Sequence, residues 1–195
     1  MRVGLGTGRA AGAGIAALGE RVRAGLRVRG VPTSPASARL ARASGIPVGR
    51  LTGPLDIAFD GADAVDPNGL VVKGAGGAMV RERVVAQAAS RFLVLVDSPK
   101  MVSSLDEWGV LPVAVAPFAA EWVARELGDL SPARRARRSD DGMVVFDLTV
   151  PPGSDWSALA QRVGALPGVL DHGLFEVPLS HVVVGRADGR ASAAG

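Results

Sequence analysis

The sequence contains no cysteine and only two histidines. Without thiols the chain can form neither a disulfide nor a thiolate metal site. The histidines, His172 and His181, lie far along the chain from the polar cluster described below, which disfavours a histidine metal centre. We therefore expect chemistry that uses no metal and no cofactor.

Long apolar runs are also missing. No segment approaches the roughly 18 consecutive apolar residues that span a bilayer, and the N-terminus lacks the residue order of a secretory signal peptide. We therefore expect a cytoplasmic protein with no membrane partner. Its 195 residues, 48% of them hydrophobic, suffice for one domain or for one domain with a small companion.

Aromatic residues and net charge are both low, at 4% of the chain and +3. The one basic cluster, from Arg134 to Arg138, has no neighbouring aromatic residue on which a base could stack. We interpret this cluster as a solvated surface loop and expect no nucleic-acid partner. Lysine is scarcer still, because only Lys73 and Lys100 among the 22 basic residues are lysine. Their retention indicates a need for a compact ammonium group.

Apolar segments alternate with helical patterns along the first half of the chain. The spacing predicts strands at 2–5, 26–31, 55–59 and 92–96, and helices at 10–23, 34–45 and 79–89. Ser34 and Pro35 are typical of a helix start, and Gly45 of a helix end. The alternation predicts a parallel sheet with covering helices, in which ligands bind beyond the carboxyl ends of the strands.

The first strand runs into the glycine turn Gly4-Leu5-Gly6-Thr7-Gly8, and a helix follows directly. Strand, glycine turn and helix together aim backbone N–H groups at an anion. Two interpretations remain open at this point. The segment is either a tight structural turn or a cradle for a phosphate group.

Polar residues collect between positions 60 and 100. Asp60 and Asp63 end a strand, where they could hold adjacent hydroxyl groups of a polyol, coordinate magnesium, or simply cap a turn. Lys73 opens a glycine-rich segment, and Glu82 lies in the first turn of the next helix, where the helix dipole favours its carboxylate form. Lys100 again follows the end of a strand. The set as a whole predicts an active site.

These motifs resemble those of the ribose-5-phosphate isomerase type A family. The segments that carry the resemblance are Gly4 to Gly8, Asp60-Gly61-Ala62-Asp63, Lys73-Gly74-Ala75-Gly76, Arg81-Glu82, Asp97-Ser98-Pro99-Lys100 and Asp171-His172-Gly173-Leu174-Phe175. The resemblance implies a Rossmann-like α/β fold, with a mostly parallel sheet and helices on both faces, and a small inserted α+β domain. It places the larger domain at 1–111 and 181–195 and the smaller at 112–180. It also implies a homodimer or homotetramer.

The family's activity is the interconversion of ribose 5-phosphate and ribulose 5-phosphate, without cofactor or metal. By resemblance Glu82 is the proton-transferring base. The matching substrate-contacting positions are Thr7, Gly8, Arg9, Ala10, Asp60, Gly61, Ala62, Asp63, Lys73, Gly74, Ala75, Gly76 and Lys100. The residues fit this chemistry, since moving a carbonyl between neighbouring carbons needs a base, and an ammonium group stabilises the enediolate that forms. Asp60 and Asp63 would orient hydroxyls and assist ring opening.

The chain departs from the family pattern at its phosphate side. Arg9 and Ala10 replace the usual hydroxyl donors, Ala64 replaces an acidic residue, and Ala75 replaces a glycine. The family also places a helix before the first strand, so we expect either a start upstream of Met1 or an incomplete covering layer. Two other functions therefore stay open. One is an isomerase acting on a different sugar or sugar phosphate, and the other is a non-catalytic sugar-phosphate-binding homologue.

The second half of the sequence predicts strands and helices whose large side chains pack in the core. We expect a strand at 143–150, a final strand at 181–185 and a frayed tail from Arg186 onward. Phe118 and Trp122 fit a helix after Pro117, and Trp156 begins an apolar stripe at helical spacing. We expect all of these large side chains to lie in the core.

Overall fold

A computed structural model describes residues 1–186 and 188–194 of the chain. Ala187 and Gly195, which belong to the predicted final segment, lie outside the described residues. The chain forms two compact units. The first unit comprises Met1–Gly61, Arg81–Ser98 and Pro178–Gly195, and the second comprises Ala62–Val80 and Pro99–Val177. The domain boundaries inferred from the sequence, near 111 and 180, stay a prediction.

Short strands and helices alternate through the described residues. The strands are β1 (Arg2–Leu5), β2 (Arg29–Pro32), β3 (Ile57–Gly61), β4 (Ala64–Val65), β5 (Leu70–Val72), β6 (Phe92–Asp97), β7 (Val110–Val115), β8 (Ala133–Arg134), β9 (Val144–Thr149), β10 (Val169–His172), β11 (Leu174–Glu176), β12 (Val182–Gly185) and β13 (Ala191–Ala193). The α-helices are α1 (Arg9–Arg23), α2 (Pro35–Ala43), α3 (Val80–Gln87), α4 (Ala120–Glu126) and α5 (Trp156–Gly164).

The first unit is built on a six-stranded sheet in the order β13-β12-β6-β3-β1-β2. Neighbouring strands are parallel except at the edge, where β13 runs antiparallel to β12. The chain passes from β1 to β2 on one side and then returns to β3 on the other side of β1. A reversal of this kind places the loops after β1 and β3 where parallel α/β sheets bind ligands.

Residue alternation along β1 explains how both faces of this sheet are covered. Val3 and Leu5 pack in a core cluster with residues of α1 and α2. Gly4 faces the opposite side, where a Cβ would lie 2.5 Å from the side chains of Ala58 in β3 and Val85 in α3. The expected mostly parallel sheet with helices on both faces is confirmed.

Helix α2 begins where local sequence chemistry predicts. The Ser34 side chain accepts from the backbone N–H of Ser37, and the Ser37 hydroxyl accepts in turn from the backbone N–H of Ser34. Pro35 occupies the first helical position, and Gly45 adopts a φ of 80° just past the end. These contacts satisfy backbone groups that a helix end otherwise leaves without partners.

The second unit contains two antiparallel sheets, in the orders β10-β7-β9-β8 and β11-β5-β4. Its core is largely aliphatic, with Leu111, Val113 and Leu148 essentially inaccessible to solvent, and it includes the buried aromatic residues Phe146 and Trp156. The turn between β4 and β5 is held by Asp66, whose carboxylate accepts from the backbone N–H groups of Asn68 and Leu70. The sequence Asp66-Pro67-Asn68-Gly69 is typical of a hairpin turn, and the antiparallel pairing of β4 with β5 confirms that interpretation.

Several packing predictions were wrong. Phe118 is fully exposed and Trp122 is 37% exposed, whereas Trp156 is buried as expected. The expected strand at 26–31 lies later, at Arg29–Pro32, and the tail expected to fray contains β13, which pairs with β12. Periodicity identifies apolar side chains, but it cannot identify which of them a neighbouring element covers.

Candidate active site

Asp60 fixes the glycine turn after β1. Its Oδ1 accepts from the backbone N–H of Thr7 at 2.8 Å and from that of Gly61 at 2.7 Å. The residue is almost completely buried, and the Gly6 N–H is bonded to the carbonyl of Phe59 at 2.9 Å. The carboxyl ends of β1 and β3 are therefore tied together through a carboxylate.

Gly6 is required by this arrangement because no side chain fits there. A Cβ on Gly6 would overlap the Asp60 carboxylate and lie 2.5 Å from its Cα. Contacts this short force the backbone of β3 or of the turn to move.

We expect Gly6→Ala to destabilise the fold by about 1–3 kcal/mol through overpacking and to lower activity by displacing Asp60. Thermal unfolding and the initial rate measure the two effects. Gly12→Ala, inside α1, is the matched control, because its Cβ would meet Leu40 at an ordinary 3.4 Å. We expect the free energy of unfolding of that control to rise by up to about 1 kcal/mol, because alanine has a higher helix propensity than glycine. Equal behaviour of the two variants would contradict the packing account.

Thr7 is held by a residue that the sequence did not single out. Its hydroxyl lies 2.7 Å from that of Thr33, at the end of β2. Thr33 is buried, and its hydroxyl donates to the Leu5 carbonyl at 3.2 Å. The hydroxyl of Thr7 is thus oriented by Thr33 at the end of the neighbouring strand β2.

Arg9 is the first residue of α1 and is largely exposed. Its Nη2 donates to Oδ2 of Asp97, at the end of β6, at 2.9 Å. An ion pair between side chains that are 87% and 50% exposed contributes little to stability and rearranges easily. Gly8 caps the helix with a φ of 100° and no side-chain hydrogen bond. The expected phosphate side therefore combines a helix N-terminus with an exposed arginine next to Ala10.

Glu82 lies in the first turn of α3 and is only 5% exposed. The spacing of Val80, Val84, Val85 and Ala88 predicts an apolar stripe on the inner face of α3. This prediction is partly wrong, because Val84 is 44% exposed whereas Glu82, Val85 and Ala86 are buried. The helix is therefore turned so that a carboxylate, and not a valine, occupies the inner face. Glutamate side chains are rarely buried to this extent unless they are paired.

Lys73 is buried in the second unit, with 2% of its surface exposed. Its backbone N–H donates to the carbonyl of Gly173 at 2.8 Å, and its Nζ lies 5.8 Å from the centre of the Phe175 ring. An ammonium at that distance gains from a cation–π interaction. Gly173 and Phe175 belong to the motif near the end of β10 that resembles the family, but no role could be assigned to them from the sequence.

The glycine-rich segment after Lys73 has a conformation that its sequence requires. Gly74 has a φ of 110°, and a Cβ there would crowd Met79 and lie 3.1 Å from Pro112. The next N–H, that of Ala75, donates to Oδ2 of Asp63 at 2.9 Å. We call residues 73–76 the lysine loop. It is tied to the second of the two aspartates.

Arg135 also contacts the lysine loop, and the sequence analysis missed it. Its Nη1 donates to the carbonyls of Gly74 at 2.7 Å and Ala75 at 3.3 Å. The rest of its guanidinium forms a two-point ion pair with Asp147, at 2.8 and 2.5 Å. The expectation of a solvated loop from Arg134 to Arg138 is therefore wrong for this member, whose side chain is 20% exposed.

Lys100 is partly buried, and its Nζ donates to the carbonyl of Ala62. Within the second unit, Lys100 thus contacts Ala62, and Asp63 contacts the lysine loop. Within the first unit, Thr7, Asp60 and Gly61 come together, and Ala10 lies near Gly61.

Among residues 1–186 and 188–194, no three His, Cys, Asp or Glu side chains are grouped as a metal ligand set, and no helix is long and apolar enough to cross a bilayer.

Comparison with known proteins gives one consistent result. A family model described as ribose 5-phosphate isomerase A (phosphoriboisomerase A) matches residues 29–189. A ribose-5-phosphate isomerase A from Thermomicrobium roseum is 42% identical over 203 residues, which cover 97% of this chain and 84% of that protein. Among solved structures, ribose 5-phosphate isomerase A from Methanocaldococcus jannaschii aligns with a TM-score of 0.89 at 34% identity, covering 99% of this chain and 91% of that one. A D-ribose-5-phosphate isomerase in complex with phospho-erythronic acid aligns with a TM-score of 0.89 at 32% identity, covering 99% and 90% of the two chains.

Proposed function

The chain belongs to the ribose 5-phosphate isomerase A family, and on that premise we propose that Glu82 is the proton-transferring base of its reaction. As a member of this family it is an aldose–ketose isomerase that interconverts ribose 5-phosphate and ribulose 5-phosphate. The observation that carries the assignment of the base is the burial of Glu82 in the first turn of α3. The helix dipole there favours a charged carboxylate.

The reaction needs one base acting twice. Glu82 takes the proton from C2 of the open-chain aldose, which leaves an enediolate over C1 and C2. The same carboxyl group then returns a proton to C1, while a proton moves between the two oxygens, and the ketose results. One carboxylate suffices because C1 and C2 are adjacent.

The lysine loop suits the stabilisation of the enediolate. Negative charge develops on oxygen in the intermediate and not in the starting sugar, so a fixed ammonium lowers the barrier selectively. Lys73 is buried, and a buried ammonium acts through a lower effective dielectric than a surface one. Backbone N–H groups of Gly74 and Gly76 would add to this effect.

Asp60 and Asp63 suit the recognition of hydroxyl groups. Each carboxylate is oriented by the backbone, Asp60 by Thr7 and Gly61 and Asp63 by Ala75. A carboxylate held in this way accepts hydrogen bonds from sugar hydroxyls in fixed directions and can assist opening of the furanose ring. We assign both residues this role.

We assign the phosphate group to the start of α1. Backbone N–H groups at a helix N-terminus bind anions, and Thr7, Gly8, Arg9 and Ala10 surround this one. Arg9 can leave its exposed pair with Asp97 and bind phosphate oxygens with two N–H groups. Lys100 would offset the remaining charge of the bound substrate.

Arg9 therefore carries a prediction of its own. We expect Arg9→Ala to raise KM for ribose 5-phosphate by about 10-fold, the loss of one charge-assisted contact, while kcat changes little. Initial rates across substrate concentration give both constants. Arg39→Ala, on the exposed part of α2, is the control and should leave KM unchanged. An unchanged KM for Arg9→Ala would show that the phosphate lies elsewhere.

The activity itself is tested by proton NMR of purified protein with ribose 5-phosphate, ribose and other pentose 5-phosphates. We expect conversion of ribose 5-phosphate to ribulose 5-phosphate, faster than conversion of any analogue. Tight binding of ribose 5-phosphate without conversion would instead indicate a sugar-phosphate-binding homologue. Faster conversion of another sugar would indicate a different substrate.

We further propose, from the family resemblance, a homodimer or homotetramer in the cytoplasm. Light scattering coupled to size-exclusion chromatography measures the assembly. A monomeric mass would contradict that proposal.

A further inference from the structure

The peptide unit between Gly74 and Ala75 is held at both ends. Its carbonyl, on Gly74, accepts from Arg135 Nη1 at 2.7 Å, and its N–H, on Ala75, donates to Asp63 Oδ2 at 2.9 Å. The carbonyl and N–H of a trans peptide point in opposite directions. Arg135 and Asp63 therefore fix the plane of this peptide from opposite sides.

Arg135 is itself fixed before it reaches the loop. Nε and Nη2 form the two-point pair with Asp147 at 2.8 and 2.5 Å, which leaves Nη1 aimed at the lysine loop. The backbone N–H of Arg135 also donates to the carbonyl of Val145 at 2.9 Å, directly after the residues through which β8 pairs with β9. A planar guanidinium bound at three points has little freedom to move.

On the basis of the proposed function, we propose that Arg135 is a positioning residue for the isomerase reaction. It sets the orientation of the Gly74–Ala75 peptide, and through that peptide it holds Asp63 and the lysine loop in their working geometry. A charged donor polarises the peptide, so the Ala75 N–H becomes a stronger donor to the carboxylate. No atom of Arg135 is assigned a contact with the sugar.

Two neighbouring arginines, Arg134 and Arg138, make contacts away from the lysine loop. Arg134 forms an exposed pair with Glu121 at 2.7 Å, and Arg138 donates to the carbonyl of Gly142 at 3.4 Å. Arg134 is therefore a matched control, with the same side chain, an adjacent position and an ion pair of its own.

The first test is kinetic. Replacement of the guanidinium by a shorter neutral amide in Arg135→Gln should lower kcat/KM by about 100-fold, mostly through kcat, because a small displacement of catalytic groups has an effect of that order. Arg135→Lys keeps the charge but cannot bind Asp147 and the loop at the same time, so its kcat should also fall. Arg134→Gln should match wild type. Wild-type kinetics in Arg135→Gln or Arg135→Lys would overturn the proposal.

A double variant separates positioning from simple charge balance. Asp147→Asn keeps Arg135 and its bonds to the loop, and we expect it to retain activity within about fivefold of wild type. Arg135→Gln combined with Asp147→Asn removes both charges and leaves none uncompensated, so it should fold even if Arg135→Gln alone does not. It should stay as impaired as Arg135→Gln. Recovery of wild-type kinetics in the double variant would mean that Arg135 serves only to neutralise Asp147.

Hydrogen exchange tests the same proposal without using activity. Amide exchange in peptides covering residues 71–79 should accelerate by about 10-fold in Arg135→Gln and in the double variant, as expected for loss of a charge-assisted hydrogen bond. Arg134→Gln should leave it unchanged. Unchanged exchange in the loop would overturn the proposal, whereas a wild-type protein that fails to isomerise ribose 5-phosphate would overturn the proposed function alone.

Discussion

Glu82→Gln should lower kcat for ribose 5-phosphate by about 1000-fold or more, because a general base typically accelerates a reaction by up to that order. The amide has nearly the shape of the carboxylate but cannot take the C2 proton. Because the change preserves packing around a side chain that is 5% exposed, substrate binding should persist. Initial rates give kcat, and calorimetric titration with ribose 5-phosphate gives Kd, which should stay within about threefold of the wild-type KM.

Glu20→Gln is the control for this variant. Glu20 is an exposed residue of α1, so its substitution should change neither kcat nor thermal stability. Circular dichroism should show that Glu82→Gln is folded. If Glu82→Gln is folded and its kcat lies within tenfold of wild type, the activation free energy has risen by at most about 1.4 kcal/mol. That result would place the base at another residue.

Lys73→Met should lower kcat by about 100- to 1000-fold, the cost of removing one preorganised electrostatic group from a developing oxyanion. Methionine fills a similar volume beside Phe175 without the charge, so the fold should tolerate it. KM should change much less than kcat, since the enediolate charge is absent from the bound sugar. Lys73→Arg should not restore the rate, because a planar guanidinium does not replace a compact ammonium in a buried position.

Lys100→Met provides the contrast. Lys100 bonds to the Ala62 carbonyl and is assigned to the charge of the bound substrate, so its loss should act mainly on KM. Equal effects of the two lysine variants on kcat and KM would contradict the separate roles. Steady-state kinetics with ribose 5-phosphate decide between these results.

Features fixed by neighbouring residues were predicted well from the sequence. The start of α2 depends on Ser34 and Pro35, and the turn after β4 depends on Asp66, so each structure is determined within a few positions. The parallel sheet was also predicted, because apolar strands and helical patterns alternate visibly along the chain. In each case the residues that create the structure lie next to it in sequence.

Features that depend on distant contacts were not predicted. Arg135 lies 61 positions from the Gly74 carbonyl that it holds, and within its own segment it looks like one of several solvated arginines. Thr33 supports Thr7 from another strand. No local pattern distinguishes such residues, since their partners are set by the fold.

Glu82 illustrates a different limit. A search for an apolar stripe assumes that buried positions are apolar, and it therefore placed Val84 on the inner face of α3. The structure buries the glutamate and exposes the valine. Local rules are expected to fail at functional sites, where a charged side chain is buried for its chemistry and the surrounding fold compensates for the cost.

The most direct test of the account follows hydrogen at the reacting carbons. Ribose 5-phosphate is incubated in D₂O with wild-type protein or with Glu82→Gln, and NMR records ketose formation together with deuterium at C1 of the ketose and at C2 of the aldose. The account predicts that the wild type forms ribulose 5-phosphate with deuterium at C1, and that the folded variant gives neither ketose nor deuterium at either carbon. Ketose formation and deuterium labelling by Glu82→Gln at the wild-type rate would contradict it.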